Sequence, residues 1–218
     1  MGYSYIIEHM EADDHTPKAL PEWVELEYKH MLALAGKDST VHFTHLSDSS
    51  ARSLLSSLNA SSDPSTAKGA AHTDDILSWL KSQSISIDQV CLLDPKATSA
   101  LTPEDGNGVF SCFLFGGILG DDPPRDRTSE LRVLGFPTRH LGSIQMTTDT
   151  ALGVTKKVVD DKVPLDKIPY IDYPTITFSA NESVEMPFRY MATGDNKPLL
   201  PPGMKDHLKK DLDQSFEF

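Results

Sequence analysis

Hydrophobic residues recur along this chain with two periods, one typical of strands and one typical of helices. Short β-branched or alternating segments at Ser4–Glu8 and Val41–Leu46 predict two strands. Continuous apolar runs at Val90–Leu93 and Phe110–Phe115 predict buried parallel strands, because such strands are covered on both faces. We expect these last two strands to lie at the centre of the sheet.

Helical spacing of apolar residues follows several of the predicted strands. The first such segment lies between Pro21 and Gly36, which are typical start and stop residues of a helix. Further helices are predicted at about 76–80, 126–134 and 148–159, and a short strand at 138–141. Alternating strands and helices predict an α/β fold with a mostly parallel sheet, whose ligand crevice lies at the carboxyl ends of the strands.

Chain length and composition predict one domain with a tail. A chain of 218 residues with 39% hydrophobic content can bury one full core. Residues 1–193 are predicted to form this single domain, in which the Ser- and Ala-rich residues 59–71 form a flexible insertion. Short β-rich pieces at 170–173 and 175–178 are expected to be edge strands or extended packing segments. The proline-rich and then charged residues 194–218 are expected to form a C-terminal tail, with 204–212 amphipathic.

The net charge narrows the range of partners. A formal charge of −12 disfavours direct nucleic-acid binding, which depends on cationic contacts with phosphates, and favours cationic partners. The first ten residues lack a signal-peptide pattern and no segment is long and apolar enough to span a membrane. We therefore expect a soluble, cytoplasmic protein.

Cysteines and histidines give little indication of metal or redox chemistry. Cys91 and Cys112 each lie inside an apolar run, which favours two buried free thiols in a reducing compartment over a disulfide. His42 and His45 are three residues apart on a predicted strand and point to opposite faces. No metal site is predicted.

Three loops that follow predicted strands have unusual sequences, and in a parallel sheet they converge on one edge. They are Leu93-Asp94-Pro95-Lys96-Ala97, Phe115 to Thr128, and Leu141 to Thr150. Glycines at Gly116, Gly117 and Gly120 let a ligand approach the backbone closely, although any one pair of glycines taken alone is more simply explained by a tight turn that binds no ligand. Such loops suit a planar, partly apolar ligand such as an adenosine.

The second loop is densely charged, with two interpretations open. Internal pairing between aspartates and arginines, Asp126 among them, would satisfy the charges structurally. Alternatively, Arg125 or Arg127 holds a carboxylate of the ligand. The loop matches neither a phosphate-binding P-loop nor a Gly-x-Gly-x-x-Gly fingerprint, so a nucleoside triphosphate is disfavoured.

Six motifs, in order along nearly the whole chain, resemble the fungal SPOUT-class protein arginine methyltransferases that modify a small-subunit ribosomal protein. They are Ile6-Ile7-Glu8-His9-Met10-Glu11, Cys91-Leu92-Leu93-Asp94-Pro95, Phe115-Gly116-Gly117-Ile118-Leu119-Gly120-Asp121, Pro123-Pro124-Arg125-Asp126-Arg127-Thr128, Gln145-Met146-Thr147-Thr148-Asp149-Thr150-Ala151 and Glu185-Met186-Pro187-Phe188-Arg189-Tyr190. The main departures are residues 59–71 and an extended linker after Glu11, both away from the three loops.

The resemblance implies a SPOUT fold with a deep C-terminal trefoil knot, S-adenosylmethionine as cofactor and a ribosomal protein as substrate. It also implies a monomer, although most SPOUT enzymes are dimers that act on RNA. The cofactor-binding residues that it implies are Leu93, Asp94, Pro95, Phe115, Gly116, Gly117, Gly120, Leu141, Gly142, Gln145, Met146 and Thr147.

Methylation of arginine needs acidic side chains, because a guanidinium has a pKa above about 12 and is protonated at neutral pH. Carboxylates must orient it and accept a proton as the methyl group arrives. We expect Glu185 and Asp126 to hold the guanidinium, and Arg125 to complete the catalytic set. Asp149 is more simply a partner for the dipole of the helix that it begins. The alternatives are an RNA methyltransferase acting on rRNA or tRNA, and a catalytically silent binding protein.

Overall fold

A six-stranded sheet of parallel strands organises the chain, in the order β3-β2-β1-β5-β4-β6. The computed structural model describes residues 2–9, 20–60, 63–117, 126 and 128–215. The six strands are β1 Ser4–Glu8, β2 Thr40–Thr44, β3 Lys68–Ala71, β4 Val90–Leu93, β5 Cys112–Gly116 and β6 Thr138–Arg139. The strand order reverses between β1 and β5, so their carboxyl ends meet at the position where open α/β sheets bind ligands. The predicted mostly parallel α/β fold is confirmed.

Helices cover both faces of the sheet. They are α1 Glu22–Ala35, α2 Asp48–Ala60, α3 Ile76–Gln83, α4 Thr128–Arg132, α5 Thr148–Val159 and α6 Met204–Ser215. Alternate residues of a strand point to opposite faces, so Tyr5 and Ile7 pack in the core beneath α1 and α5. Ile6, between them, packs in the core beneath α3 and α4. This double coverage explains why the central strands are continuously apolar.

The C-terminal part adds two small antiparallel ladders outside the main sheet. Strand β7 Tyr170–Asp172 pairs with β10 Arg189–Met191, and β8 Thr175–Ser179 pairs with β9 Glu182–Glu185. The strands predicted at 170–173 and 175–178 therefore exist, but they pair with these later strands and not with the edge of the main sheet. Their partners β9 and β10 were not predicted.

Residues 59–71 differ from the predicted insertion. Asn59 and Ala60 end α2, and Lys68–Ala71 form β3, which pairs with β2 at the edge of the main sheet. Leu58 of α2 packs closely over this strand, since a Cβ added at Gly69 would lie 2.6 Å from Leu58 Cδ1 and that side chain would have to shift. The composition that predicted an insertion is thus what lets α2 pack closely over an edge strand.

The tail from residue 194 is fastened to the domain. Leu199 N–H donates to the Met191 carbonyl, and α6 packs against α1 with Met204 buried. At the start of α1, Glu22 Oε2 forms an ion pair with Lys210 Nζ at 3.3 Å and lies 3.4 Å from His207 Nδ1. The amphipathic segment at 204–212 is therefore a docked surface helix, and the boundary predicted at 193 does not separate it from the domain.

Two further predictions concern cysteines and membranes. Cys91 and Cys112 are both buried and free, which confirms the predicted free thiols. In the described ranges, no helix has the length and apolar character needed to cross a membrane.

Candidate active site

The carboxyl ends of β4 and β5 open into a cavity of about 320 Å³, which we call the strand-end cavity. Its walls come from the segments after β4, after β5 and between β6 and α5, as the parallel topology requires. The residues that line it are Leu93, Asp94, Pro95, Lys96, Phe115, Gly116, Gly117, Asp126, Thr128, Leu141, Gly142, Ser143, Ile144, Gln145, Met146, Thr148 and Ala151.

Glycines expose backbone at two points of this cavity. A Cβ at Gly116 would lie 3.2 Å from Thr128 Oγ1, a tight contact that would require Thr128 to shift by a few tenths of an ångström. Gly142 has a φ of +112°, which side chains other than glycine rarely adopt. Its N–H donates to His140 Nδ1 at 3.1 Å, which fixes the turn. A ligand can thus contact the main chain directly.

The ionic groups of the strand-end cavity are already paired with one another. Asp94 is only 2% exposed and accepts hydrogen bonds from two nitrogens of Arg132, one at 2.7 Å. Burial opposes its ionisation, but the hydrogen bonds from Arg132 and from the Lys96 N–H outweigh it and lower the pKa of Asp94. Asp126 accepts from Lys96 Nζ at 2.6 Å and from Arg132 at 3.3 Å, and these bonds lower its pKa. Asp126 is thus paired with Lys96 and Arg132, which lie outside the charged loop, and the predicted pairing with Arg125 or Arg127 concerns residues outside the described part of the chain.

The structure brings most of the predicted cofactor residues together. Leu93, Asp94, Pro95, Phe115, Gly116, Gly117, Leu141, Gly142, Gln145 and Met146 all line the strand-end cavity. Thr147 does not line it and faces a second cavity. Gly120 and Arg125 lie outside the described residues. The arrangement of apolar walls and open backbone suits a planar, partly apolar ligand.

The two carboxylates predicted to hold a guanidinium are in different situations. Asp126 lines the strand-end cavity, but its charge is compensated by Lys96 and Arg132. Glu185 is exposed at the end of β9, opposite Thr175, and it lines neither cavity. The geometry does not bring these two side chains together, and their roles stay predictions.

A second cavity, of about 260 Å³, lies among α1, the first turn of α5 and α6, and we call it the helix cavity. The residues that line it are Trp23, Glu27, Thr147, Asp149, Met186, Phe188, Tyr190, Leu200, Pro201, Met204, His207, Leu208 and Asp211. Thr147 is the N-cap of α5. Met146 and Thr148, its neighbours in the chain, line the strand-end cavity, so this short segment borders both cavities.

Two buried carboxylates face the helix cavity. Asp149 is 1% exposed, and its Oδ2 lies 2.7 Å from His30 Nδ1, while its Oδ1 has no hydrogen-bond partner among the described residues. Glu27 is 8% exposed, and burial together with the charge of Asp149 raises its pKa well above the usual range. The Tyr190 hydroxyl, also buried, has no partner in the described part of the chain.

Sequence reasoning missed Glu27 and underestimated Asp149. Asp149 does lie in the first turn of α5, as the dipole interpretation requires, but it also pairs with His30 and lines the cavity. A signal for Glu27 was present, because it lies three residues after Val24 and four before Met31 on the apolar face of α1. A charged residue at a core position of a helix is rare unless it is paired.

Comparisons with known proteins agree on one family. The family model described as "Protein arginine N-methyltransferase SFM1-like" matches residues 4–215. Protein arginine N-methyltransferase SFM1 of Saccharomyces cerevisiae is 41% identical over 220 residues, which cover 98% of this chain and 97% of the yeast protein.

Solved structures give the same result. The crystal structure of the yeast arginine methyltransferase SFM1 complexed with SAM aligns with a TM-score of 0.80 and 38% identity, over 97% of this chain and 92% of that chain. The complex with SAH aligns with a TM-score of 0.79 and 38% identity, over 94% of each chain. The dual-specific Trm10 from Thermococcus kodakaraensis, 19% identical, aligns with a TM-score of 0.50 over 75% of this chain and 95% of that chain, which is a likeness of fold.

Proposed function

We propose that this chain, which belongs to the SFM1-like family of protein arginine N-methyltransferases, methylates an arginine side chain of a small-subunit ribosomal protein. As a member of that family it has a SPOUT-class fold and is an enzyme that uses S-adenosylmethionine. The yeast relative is named an arginine methyltransferase, which supports a protein substrate. The ribosomal identity of that substrate is the part of the proposal that rests on the sequence resemblance.

The strand-end cavity fits the cofactor. Bound S-adenosylmethionine supplies a methyl group on a cationic sulfur. Leu93, Phe115 and Met146 offer apolar contact surface for an adenosine, and the glycines at 116 and 142 leave main-chain groups open for hydrogen bonds. Arg125 or Arg127, both outside the described residues, is proposed to hold the carboxylate of the cofactor.

The acidic character of the chain favours a cationic protein over RNA. The net charge of −12 repels a phosphate backbone and attracts basic proteins. Methyl transfer also needs a guanidinium nitrogen held in line with the methyl group, and one proton must leave that nitrogen as the new N–C bond forms. Carboxylates of this chain can supply both the orientation and the proton acceptor.

Location and assembly complete the proposal. Two buried free thiols suit a reducing compartment, which supports the cytoplasm. A monomer and a trefoil knot follow from the sequence resemblance and are proposed on that basis.

The test is transfer of a labelled methyl group from S-adenosylmethionine to ribosomal proteins and, separately, to RNA, both from cells that lack this enzyme. We expect label on one small-subunit protein, with methylarginine recovered after hydrolysis. Label on rRNA or tRNA would replace the proposal with RNA methylation. Cofactor binding without any label would point to the silent binding protein.

A further inference from the structure

We infer that the helix cavity binds the guanidinium group of an arginine side chain of the protein substrate, through the carboxylates of Glu27 and Asp149. This inference rests on the proposed function for the identity of the ligand, since the substrate of the reaction brings the guanidinium. It assigns the substrate site to residues outside the three loops that form the strand-end cavity.

The two cavities are neighbours across one stretch of main chain. Residues 145–149 pass between them, with Gln145, Met146 and Thr148 on the strand-end side and Thr147 and Asp149 on the other side. The Gln145 carbonyl accepts from Arg189 N–H at 2.8 Å, which anchors this stretch to β10. A substrate held in the helix cavity is therefore adjacent to the segment that borders the cofactor.

The buried carboxylates of the helix cavity are not fully paired. Asp149 Oδ2 lies 2.7 Å from His30 Nδ1, and Asp149 lies in the first turn of α5, where helix N–H groups carry partial positive charge, so this carboxylate is partly compensated. Glu27 has no hydrogen-bond partner among the described residues, and the nearby Asp149 disfavours its ionised form. A buried carboxylate without a partner is costly, and a ligand cation would remove that cost.

A guanidinium matches this set of acceptors. It is a planar cation with five N–H donors, so it can donate hydrogen bonds to two carboxylates at the same time. Within the cavity, the buried atoms without a hydrogen-bond partner among the described residues are Asp149 Oδ1, the Tyr190 hydroxyl and His207 Nδ1, and no hydrogen bond contributes to the pKa of Glu27. A lysine ammonium carries its three N–H donors on a single nitrogen, so it reaches separated acceptors less well than a guanidinium does.

The other walls of the cavity suit the rest of an arginine side chain. Trp23 and Phe188 provide aromatic surface, on which guanidinium groups stack, and Met186 and Leu200 provide apolar contact for the methylene groups. The alternative guanidinium holders lack these features, because Asp126 is already paired and Glu185 is exposed outside both cavities.

The test compares Glu27→Gln and Asp149→Asn with Glu25→Gln, a control on the same helix that lies outside the cavity. Each full-length variant is saturated with SAH and titrated calorimetrically with N-acetyl-L-arginine methylamide and with the matching lysine compound. We expect wild type and Glu25→Gln to bind the arginine compound more tightly than the lysine compound. In Glu27→Gln and Asp149→Asn, arginine binding should weaken about 30-fold or more, because one partner of a buried charge pair is lost. Binding of SAH should change less than about twofold, as for substitutions away from a site.

The inference is overturned if Glu27→Gln binds the arginine compound with the same affinity as wild type does. It is also overturned if wild type shows no saturable binding of the arginine compound, or binds the lysine compound equally tightly. If Asp149→Asn fails to fold, Glu27→Gln decides alone, because removing its charge breaks no hydrogen bond seen among the described residues. The labelling assay separates this result from the proposed function. Arginine binding that depends on Glu27, without label on ribosomal protein, keeps the inference and removes the proposed substrate.

Discussion

The strand-end cavity and the helix cavity lie on either side of residues 145–149, yet their carboxylates differ in whether they have cationic partners within the protein. In the strand-end cavity, Asp94 and Asp126 are both paired with cations of the protein itself. In the helix cavity, Glu27 and one oxygen of Asp149 are buried without such partners among the described residues. Paired charges hold a loop in place before any ligand arrives, whereas unpaired buried charges are stabilised only when a ligand brings the missing cation.

This difference predicts that removing a charged side chain has opposite effects on the free energy of unfolding in the two cavities. Removing a partner in the strand-end cavity should destabilise the protein, because a compensated charge becomes uncompensated. Removing the charge of Glu27 in the helix cavity should stabilise the protein, because natural binding sites hold groups that are unfavourable for folding. The following substitutions test the contrast.

Arg132→Ala is expected to have the largest effect on stability. It leaves Asp94, 2% exposed, without its main partner. We expect the free energy of unfolding to fall by about 2–3 kcal/mol, somewhat less than for fully enclosed pairs because Arg132 is partly exposed. Urea unfolding measures it. Lys96→Ala is the control, since this exposed partner of Asp126 should contribute less than about 0.5 kcal/mol. Equal losses for both variants would contradict the distinction between buried and exposed pairs.

Gly142→Ala should separate backbone strain from ligand binding. At a φ of +112° an alanine is strained, and we expect a loss of about 1–2 kcal/mol in the free energy of unfolding. Gly108, with a φ of +86° and open space around it, is the matched position outside the cavity. Both variants should lose similar stability. Only Gly142→Ala should weaken SAH binding, by about tenfold in calorimetry, and an equal effect of Gly108→Ala would remove Gly142 from the site.

Glu27→Gln should raise stability at neutral pH by about 1 kcal/mol, since it removes a buried charge that faces Asp149. Thermal and urea unfolding measure the change, with Glu25→Gln as control. A variant that is more stable and yet binds arginine poorly would identify Glu27 as a binding residue. A destabilised Glu27→Gln would instead indicate that Glu27 serves the fold.

The pH dependence of this gain sharpens the test. The folded-state pKa of Glu27 lies well above its ordinary value of 4.5, so between these values the folded protein binds more protons than the unfolded chain. Wild-type stability therefore falls as pH rises through the folded-state pKa. Gln cannot titrate, so the advantage of Glu27→Gln should be absent near pH 4 and grow toward neutral pH. Asp149, Tyr190, His207 and Asp211 also face the cavity but are the same in both proteins.

Local patterns predicted the elements that form the strand-end cavity. The observed ends of β1 and α5 match the ends predicted from the sequence. These elements bury one face or both, so their apolar residues recur with a clear period. Helix α2 was missed because its serines and alanines give a weak apolar face, and β3 because its small residues resemble a loop. Both elements are held by tertiary contacts that no local pattern contains: β3 pairs with β2, and α2 packs against β3.

The helix cavity could not be predicted in the same way. Its acidic pair joins Glu27 on α1 to Asp149 on α5, and no local pattern shows that these helices pack together. Periodicity places Glu27 on a buried face but does not say what it faces. The loops of the strand-end cavity were easier, since parallel strands bring their carboxyl ends to one edge in every such sheet.

Glu185→Gln is expected to have the smallest effect, and it decides between the two assignments of the acidic residue. Glu185 is exposed on β9 and lines neither cavity, so kcat/KM for the ribosomal protein should change by no more than about twofold. The labelling assay measures it beside Glu27→Gln under the same conditions. A loss with Glu185→Gln as large as with Glu27→Gln would mean that β9 moves to the substrate when it binds. In that case the difference in charge between the two cavities would concern folding rather than recognition of arginine, because an exposed carboxylate would hold the guanidinium after all.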